Sequence, residues 1–340
     1  MKSRLSRIFN LRGLATISAL VVALGACASV WAQDSPRVQE LLGDLNFERG
    51  FHVTSSNVFL GDFRLPFAGE QQPAAELEPT WGLATHASKY NISKGEFVSE
   101  EKYAAVTTPG QIVSLTKDDE GVVTLKLGVK TENEYSAPRR ADQLWIHLLI
   151  TRDFEEEERV AFEDVDSVVF SCDARVPYVE KTDPNNAYDS GLHTTQASVY
   201  FSLPNGNPDS EDYRDYIWFG VSFYDERYEI QTDYVAVDGD PKTIGTGKLI
   251  YRLGEQKSID DLLGGVNPYS NEWVHVEFDV KKFLPDAIKA AHEKGFLIHS
   301  KPEDFVVAHF NFGWETPGTY ASDLEIKNLK LLATFKEKNK

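Results

Sequence analysis

The segment 192–228 constrains the fold most, because small or polar residues alternate there with bulky ones along two successive runs. A two-residue period is typical of a β-strand. The two runs are separated by 204–210, a stretch rich in Pro, Asn, Gly, Asp and Ser, which are turn-forming residues. The segment therefore predicts two adjacent strands joined by a polar loop.

The alternation gives each predicted strand two different faces. On the second strand one face is entirely apolar: Ile217, Phe219, Val221 and Phe223. The other face mixes aromatic rings with small residues: Tyr216, Trp218, Gly220, Ser222 and Tyr224. The first strand adds Gln196 and Tyr200 on a face that is too polar to be core. Because sugar rings have apolar C–H faces and hydrogen-bonding rims, such a surface predicts a glycan-facing sheet.

The first 32 residues are typical of a secretory signal. Four basic residues precede an apolar run at 14–26 that is too short to span a membrane. The small residues Val30 and Ala32 favour cleavage after Ala32, whereas residues 24–27 are similar to a bacterial lipobox and would place a lipid anchor on Cys27. We therefore expect a signal peptide at 1–32 and an exported protein, either periplasmic or extracellular, or alternatively an outer-surface lipoprotein.

The charge balance excludes some partners. Removing residues 1–32 deletes four positive charges and no negative one, which takes the formal net charge from −18 to −22. Nucleic acids and anionic lipid surfaces would be repelled, so neither is an expected partner. Cys172 is then the one thiol available for pairing within the chain, which excludes an intramolecular disulfide. We expect residues 33–340 to form a single domain whose core alone stabilises it.

Strand-like runs separated by turn signals recur along the rest of the chain. They fall at 45–54, 101–107, 112–116, 122–131, 144–152, 165–176 and 272–280. One convincing helical period occurs, at 283–294, and Gly295 follows it where a helix-ending glycine belongs. This distribution predicts an all-β sandwich with one or two short helices.

The C-terminal third carries a resemblance to a known group of proteins. A strand reading Trp-Val-His-Val-Glu-Phe-Asp-Val is followed by a short helix, then by Gly313-Trp314-Glu315 and by Ile-Lys-Asn-Leu at 326–329. In outline the chain resembles secreted bacterial jelly-roll modules of the concanavalin-like kind, which include carbohydrate-binding modules, sandwich glycoside hydrolases and polysaccharide lyases. The resemblance implies a two-sheet jelly roll that holds a polysaccharide or oligosaccharide along a concave sheet and requires no cofactor.

The lyase alternative depends on the two central strands. Jelly-roll lyases similar to alginate lyases carry Gln-x-His on one strand and Tyr-Phe-Lys-Ala-Gly-x-Tyr on the next. This chain has His193 and Gln196 on the first strand and Tyr216, Trp218, Gly220 and Tyr224 on the second. The order of the glutamine and histidine is reversed, their spacing differs, and Trp218 stands where that family has lysine.

In this interpretation each residue has its own role in β-elimination. Gln196 and Arg175 would bind the uronate carboxylate, and His193 would neutralise it or accept the C5 proton. Tyr224 would deliver a proton to the leaving oxygen. The structural alternative is that His193 caps a strand and that the tyrosines belong to the core or to an interface.

The hydrolase alternative needs two facing carboxylates. The Glu-x-Asp-x-x-Glu strand motif of sandwich glucanases resembling laminarinases is absent. The available acids are Asp173, Asp225, Glu226, Glu277 and Glu315. Asp173 interrupts an otherwise apolar strand and is therefore the favoured one, whereas most of the others are better explained as solvated acids.

Two further groups of residues complete the candidate site. Sugar stacking is expected at Trp218, Tyr216, Trp81 and Tyr200, with Trp218 and Trp81 exposed in a groove. Oxygen ligands crowd the loop at Asp183, Asn185 and Asp189, which would suit a structural calcium ion, although an ordinary turn explains them too. The main prediction is a polysaccharide lyase; the alternatives are a glycoside hydrolase and a protein that binds glycan without cleaving it.

Overall fold

A computed structural model describes residues 36–70, 77–182, 187–228, 231, 233–239, 245–254 and 271–337. Across these residues the strands are β1 (Val38–Glu40), β2 (Phe51–Ser55), β3 (Val58–Phe63), β4 (Trp81–Ala84), β5 (Glu96–Ser99), β6 (Tyr103–Thr107), β7 (Gln111–Lys117), β8 (Val123–Lys130), β9 (Ile146–Asp153), β10 (Val160–Ala161), β11 (Val165–Lys181), β12 (Gln196–Pro204), β13 (Tyr216–Asp225), β14 (Tyr234–Val237), β15 (Leu249–Leu253), β16 (Val274–Asp279), β17 (Val306–Val307), β18 (His309–Thr316) and β19 (Tyr320–Phe335). The helices are α1 (Val280–Glu293) and three 3₁₀ turns at Ile92–Lys94, Thr131–Asn133 and Pro302–Asp304.

The strands form two large sheets. Sheet A has eight strands in the order β16-β11-β19-β8-β7-β6-β5, with β1 also paired to β19. Sheet B has nine strands in the order β14-β15-β13-β12-β18-β9-β4-β2-β3. The chain passes between the two sheets several times, for example from β8 in sheet A to β9 in sheet B and from β18 in sheet B to β19 in sheet A. The predicted all-β, two-sheet jelly-roll sandwich is confirmed.

The core lies between the two sheets and is dominated by aromatic rings. Phe170 of sheet A meets Phe201 and Phe310 of sheet B at ring-centroid distances of 5.9 Å. Trp314 is fully buried, and its indole Nε1 donates a hydrogen bond of 3.0 Å to the carbonyl of Leu127 in sheet A. Because an indole N–H must find an acceptor when it is buried, this bond fixes the orientation of β18 across the core.

Helix α1 follows β16 directly, and both its ends have identifiable signals. Asp279 accepts a hydrogen bond from the Lys281 amide and caps the first turn, so the helix begins three residues before the predicted start at 283. Its apolar face is buried, and Gly295 adopts a φ of +78° just beyond the end. The predicted helix is confirmed. No helix within the described ranges is long and apolar enough to cross a membrane.

The central strands β12 and β13 pair antiparallel, as the sequence predicts, but their ladder contains a bulge. Ala197 is opposite Tyr224 while Ser198 is opposite Ser222, which leaves Phe223 as an extra residue in β13. Beyond the bulge the alternation is shifted by one residue. Tyr224 therefore points into the core, where its ring meets Trp314 edge-on, and Asp225 takes the place opposite Gln196.

Candidate functional site

A row of polar side chains crosses the middle of sheet B on the face turned away from the core, which we call the outer face. Gln196 on β12 is opposite Glu315 on β18, and Glu315 is in turn opposite His147 on β9. The flanking residues Ile146, Leu148 and Trp314 all belong to the core. Since successive side chains of a strand point to opposite faces, the three polar residues must share the outer face.

Glu315 is the centre of this row. Its Oε2 accepts a hydrogen bond of 2.8 Å from Gln196 Nε2, and its Oε1 lies 3.4 Å from His147 Nε2. Gln196 is oriented from its other end, where its Oε1 accepts a 3.2 Å bond from Arg252 Nη1. The Glu315 side chain nevertheless keeps 24% of its surface exposed. A carboxylate that is held on two sides and open on the third can face a ligand.

The surroundings keep Glu315 ionised. Burial acts to raise the pKa of Glu315, but the hydrogen bond and charge of His147, the bond from Gln196 and the charge of Arg252 together outweigh it. The pKa of Glu315 therefore lies below its usual value. An ionised carboxylate suits the part of a nucleophile or a base rather than that of a proton donor.

Tyr200 and Gly220 lie further along the outer face, beyond Ser198. A Cβ on Gly220 would lie 2.3 Å from a ring carbon of Tyr200, so the absent side chain is what lets the ring lie flat across β13. Burial raises the pKa of Tyr200 to about 12, against a weaker lowering effect of Arg252. The phenol is thus neutral and available as a hydrogen-bonding group.

Asp225 is the carboxylate nearest to Glu315 in this row, but its side chain is buried and hydrogen-bonded to Thr194 and Arg227. Two strand spacings put its Cα about 10 Å from that of Glu315. Its side chain has no exposure, and it accepts bonds of 2.9 Å from Thr194 Oγ1 and of 2.9 and 2.6 Å from Arg227. Asp225 anchors the end of β13 rather than facing a ligand.

His193 is a structural residue in this fold. It precedes β12, its Nδ1 accepts the Asp189 amide at 3.0 Å, and its Nε2 lies 2.8 Å from the carbonyl of Arg139. Both ring nitrogens are therefore engaged by backbone groups, with Nδ1 as the acceptor. The structure therefore does not favour the predicted role of His193 as a base, since accepting a proton at Nδ1 would break the bond from the Asp189 amide.

Two predicted catalytic residues lie on the opposite sheet. Arg175 on β11 is paired with Glu325 at 2.6 Å and lies over the ring of Trp273. Asp173, on the same strand, contacts His275 at 2.7 Å and Asn328 at 2.6 Å. Both are on the outer face of sheet A, so the thickness of the sandwich separates them from Gln196.

The set predicted for β-elimination is therefore not brought together. Gln196 faces outward from sheet B and Tyr224 faces the core, because the bulge reverses the alternation between them. Arg175 belongs to the other sheet. Gln196 itself is buried beneath Arg252, so it positions Glu315 rather than lining an open trough.

The predicted stacking residues are also divided between the core and the outer face of sheet B. Trp81 is fully buried, and its Nε1 donates to the carbonyl of Asp44 at 2.9 Å, so the prediction that it lines a groove is wrong. Trp218 lies half-buried on the outer face of sheet B. Its ring meets Tyr216 at 5.4 Å and His309 at 5.9 Å, both edge-on. Tyr200 is on the same face.

The predicted calcium loop is only partly within the described residues. Asp183 and Asn185 fall outside them, and Asp189 accepts a 2.8 Å bond from the Gly191 amide, as a turn residue does. Among the residues with described positions, no group of three or more His, Cys, Asp or Glu could hold a metal ion.

Sequence reasoning missed Arg252 and His86, which complete the outer face around Glu315. Arg252 is the one cation in the strand Leu249–Leu253, and it lies on the side opposite Leu249 and Tyr251. The alternation of this strand therefore indicates from sequence alone that Arg252 faces away from the core. The contact between His147 and His86, at 5.4 Å, joins residues far apart in the chain and has no local signal.

His86 makes stability depend on pH. Burial, and to a smaller extent the neighbouring His147, lower the pKa of His86 to about 4 from its usual 6.5. The folded state then resists protonation that the unfolded chain accepts, so stability is full above pH 6.5 and falls as the pH drops toward 4. We expect His86 to cost the fold about 2 kcal/mol at pH 5.

Denaturant unfolding near pH 7 and near pH 5 measures this effect. His86→Gln should reduce the loss of stability between the two pH values, because glutamine can still accept the Ser56 amide bond that His86 Nδ1 accepts at 2.7 Å. His52→Gln is the control, since His52 is half-exposed on β2. An unchanged pH dependence in His86→Gln would show that other groups cause it.

The fold and the row of polar side chains together define a two-sheet β-sandwich protein in which Glu315, Gln196 and His147 are aligned on one outer face. No protein-family model matches the chain, and no curated protein matches it significantly. Solved structures similar to it include the endoglucanase cel12A from Rhodothermus marinus, at 12% identity and a TM-score of 0.36 over 69% of this chain and 93% of that one.

Two further solved structures are similar to the same extent. A family 12 xyloglucanase from Bacillus licheniformis shares 10% identity with a TM-score of 0.38, covering 72% of this chain and 98% of its own. The family 11 xylanase from Neocallimastix patriciarum shares 11% identity with a TM-score of 0.32, covering 69% and 96%. With identities and scores this low, the likenesses do not assign a reaction to this chain.

Proposed function

We propose that the protein is a polysaccharide-active glycoside hydrolase that binds its glycan on the outer face of sheet B, with Glu315 as the ionised carboxylate of the reaction. The observation that carries the proposal is the state of Glu315: it is held by Gln196 and His147, kept ionised, and partly open to solvent. Such a carboxylate can attack an anomeric carbon or activate a water molecule.

The lyase is not proposed, because its residues lie in different parts of the fold. Elimination at C5 requires a carboxylate-neutralising group and a base beside the same sugar. Arg175 is on sheet A, Tyr224 is in the core, and both nitrogens of His193 are already engaged. No rearrangement short of refolding would assemble these three residues.

One observation favours a second candidate, a protein that binds glycan without cleaving it. Glycoside hydrolysis also needs a carboxylic acid that protonates the leaving oxygen. Asp225 is the nearest carboxylate in the row of Glu315, and it is fully buried and bound by Arg227 and Thr194. Without a second acid, the outer face would act as a recognition surface.

A panel of glycans separates these candidates. Cellulose, mixed-linkage β-glucan, xyloglucan, xylan and alginate would each be incubated with the purified protein. Release of reducing ends from a neutral glycan supports the hydrolase, and retention on a glycan without release supports the binding protein. Ultraviolet-absorbing unsaturated ends from alginate would instead support a lyase and overturn the proposal.

We also propose that the protein acts outside the cytoplasm, where polymeric glycans are found. The support is the basic and apolar pattern of residues 1–32, which lie outside the described part of the chain. The intact mass of the protein recovered after expression in a bacterial host tests this. A chain beginning at Gln33 indicates cleavage after Ala32, a lipidated Cys27 indicates the lipoprotein alternative, and an uncleaved chain contradicts export.

A further inference from the structure

A second exposed tryptophan lies beside the Glu315 row. Trp145 immediately precedes β9 and keeps 39% of its surface exposed. It alternates with Ile146 and Leu148, which are core residues, so it shares the outward side with His147. The guanidinium carbon of Arg139 lies 6.0 Å from its ring centroid. Trp145 is two residues from His147, which puts it roughly 7 Å along the strand from the level of Glu315.

Trp218 lies at the other end of the same face. It is opposite Ser202, and Ser202 is opposite His309 of β18. Glu315 is six positions after His309 in β18, which corresponds to about 20 Å along the strand. The ring of Trp218 is held by edge contacts with Tyr216 and His309 and by a 3.4 Å bond from its Nε1 to Thr246. A ring already fixed in place loses little conformational entropy when a ligand stacks on it.

Two buried polar side-chain atoms without partners belong to residues beside Gln196. Ser198 Oγ and Arg252 Nε have no hydrogen-bond partner within the described ranges, and both residues are more than nine-tenths buried. Ser198 is on the outward side of β12, between Gln196 and Tyr200, and Arg252 on β15 bonds Gln196. An unsatisfied buried polar group is costly, so these two atoms leave unused hydrogen-bonding capacity just beneath the outer face at this point.

We propose that Trp145 and Trp218 are stacking subsites on opposite sides of Glu315, and that the ligand is an uncharged glycan chain of several sugar units lying diagonally across β9, β18, β12 and β13. The inference rests on the proposed function. It adds the length of the glycan ligand and the direction in which the glycan lies across the sheet. A mono- or disaccharide cannot reach both rings. An acidic chain would meet Glu315 in a protein whose net charge is −18.

Affinity electrophoresis in gels containing mixed-linkage β-glucan, xyloglucan or xylan tests the inference. Trp145→Ala and Trp218→Ala should each weaken retention on the polysaccharide that retains the wild type, by roughly tenfold, because each removes one stacked ring. Trp218→Phe keeps a ring and should retain most of the affinity. Trp273→Ala is the matched control, since Trp273 lies between the cations Arg175 and Lys327 and belongs to the opposite sheet.

The length of the ligand supplies a second readout. Calorimetry with oligosaccharides of two and six sugars from the retained polysaccharide should show that the wild type prefers the longer one and that each Trp→Ala variant loses most of this preference. Equal affinity of wild type and both variants for the hexasaccharide would overturn the inference while leaving Glu315-dependent cleavage intact. A wild type that neither binds nor cleaves any of the glycans would overturn the proposed function itself.

Discussion

Glu315→Gln should abolish glycan cleavage while leaving glycan binding in place. The glutamine keeps the shape of the side chain and an oxygen that can accept the bond from Gln196, but it lacks the negative charge that the reaction needs. We expect the rate of reducing-end release to fall on the order of 10³-fold or more, in line with the loss of an essential acid–base or nucleophilic group. Retention in affinity gels should change little.

Glu325→Gln is the matched control for this experiment. Glu325 is also a partly exposed carboxylate in an ion pair, with 19% of its side chain accessible, but it lies on the outer face of sheet A beside Arg175. Its substitution should leave the rate unchanged. Cleavage by Glu315→Gln at the wild-type rate would remove Glu315 from the reaction and would leave the row on sheet B with a binding role at most.

Trp81→Ala should destabilise the protein by about 3–5 kcal/mol, the range found when a large buried aromatic side chain is removed. Trp81 has no exposure, contacts the rings of Phe47 and Phe310, and donates a hydrogen bond to the carbonyl of Asp44. The truncation would leave a cavity and remove one of the two hydrogen bonds that the Asp44 carbonyl accepts, the other coming from the Phe47 amide.

Trp218→Ala provides the contrast, because Trp218 is only half-buried on the outer face of sheet B. Denaturant unfolding of the two variants should show a much larger loss of stability for Trp81→Ala. Affinity gels should show a larger loss of glycan binding for Trp218→Ala than for Trp81→Ala. The Trp81→Ala variant must be measured at a temperature where it remains folded. A small stability loss for Trp81→Ala would contradict its placement in the core.

The fold could be predicted because its signals are local. The two-residue alternation of β12 and β13 and the apolar stripe from Ile217 to Phe223 appear in the sequence and in the structure alike. The end of α1 is also local, since Gly295 can adopt a positive φ. The start of the helix differs from the prediction, because the cap is formed by the last residue of β16, Asp279.

The site could not be predicted to the same extent, because it depends on register. A single extra residue, Phe223, turns Tyr224 inward and brings Asp225 level with Gln196, and nothing in an alternating run indicates where such a bulge falls. Alternation also does not say which sheet a strand joins. Arg175 is therefore predicted to act beside Gln196, although β11 belongs to sheet A.

Glu315 likewise could not be singled out from the sequence alone. It was one of five candidate acids, and its neighbours in sequence do not distinguish it from Glu277. Its distinction comes from strand pairing, which places Gln196 and His147 on either side and Arg252 behind Gln196. These contacts join residues from four strands, so only the three-dimensional arrangement identifies the acid.

The most direct test of where the glycan lies is a crystal structure of Glu315→Gln with a hexasaccharide of the polysaccharide that retains the wild-type protein. We predict a sugar ring within hydrogen-bonding distance of the side chain at position 315, with further sugars stacked on Trp145 and Trp218. An oligosaccharide bound instead on the outer face of sheet A, beside Trp273 and Arg175, would contradict the account.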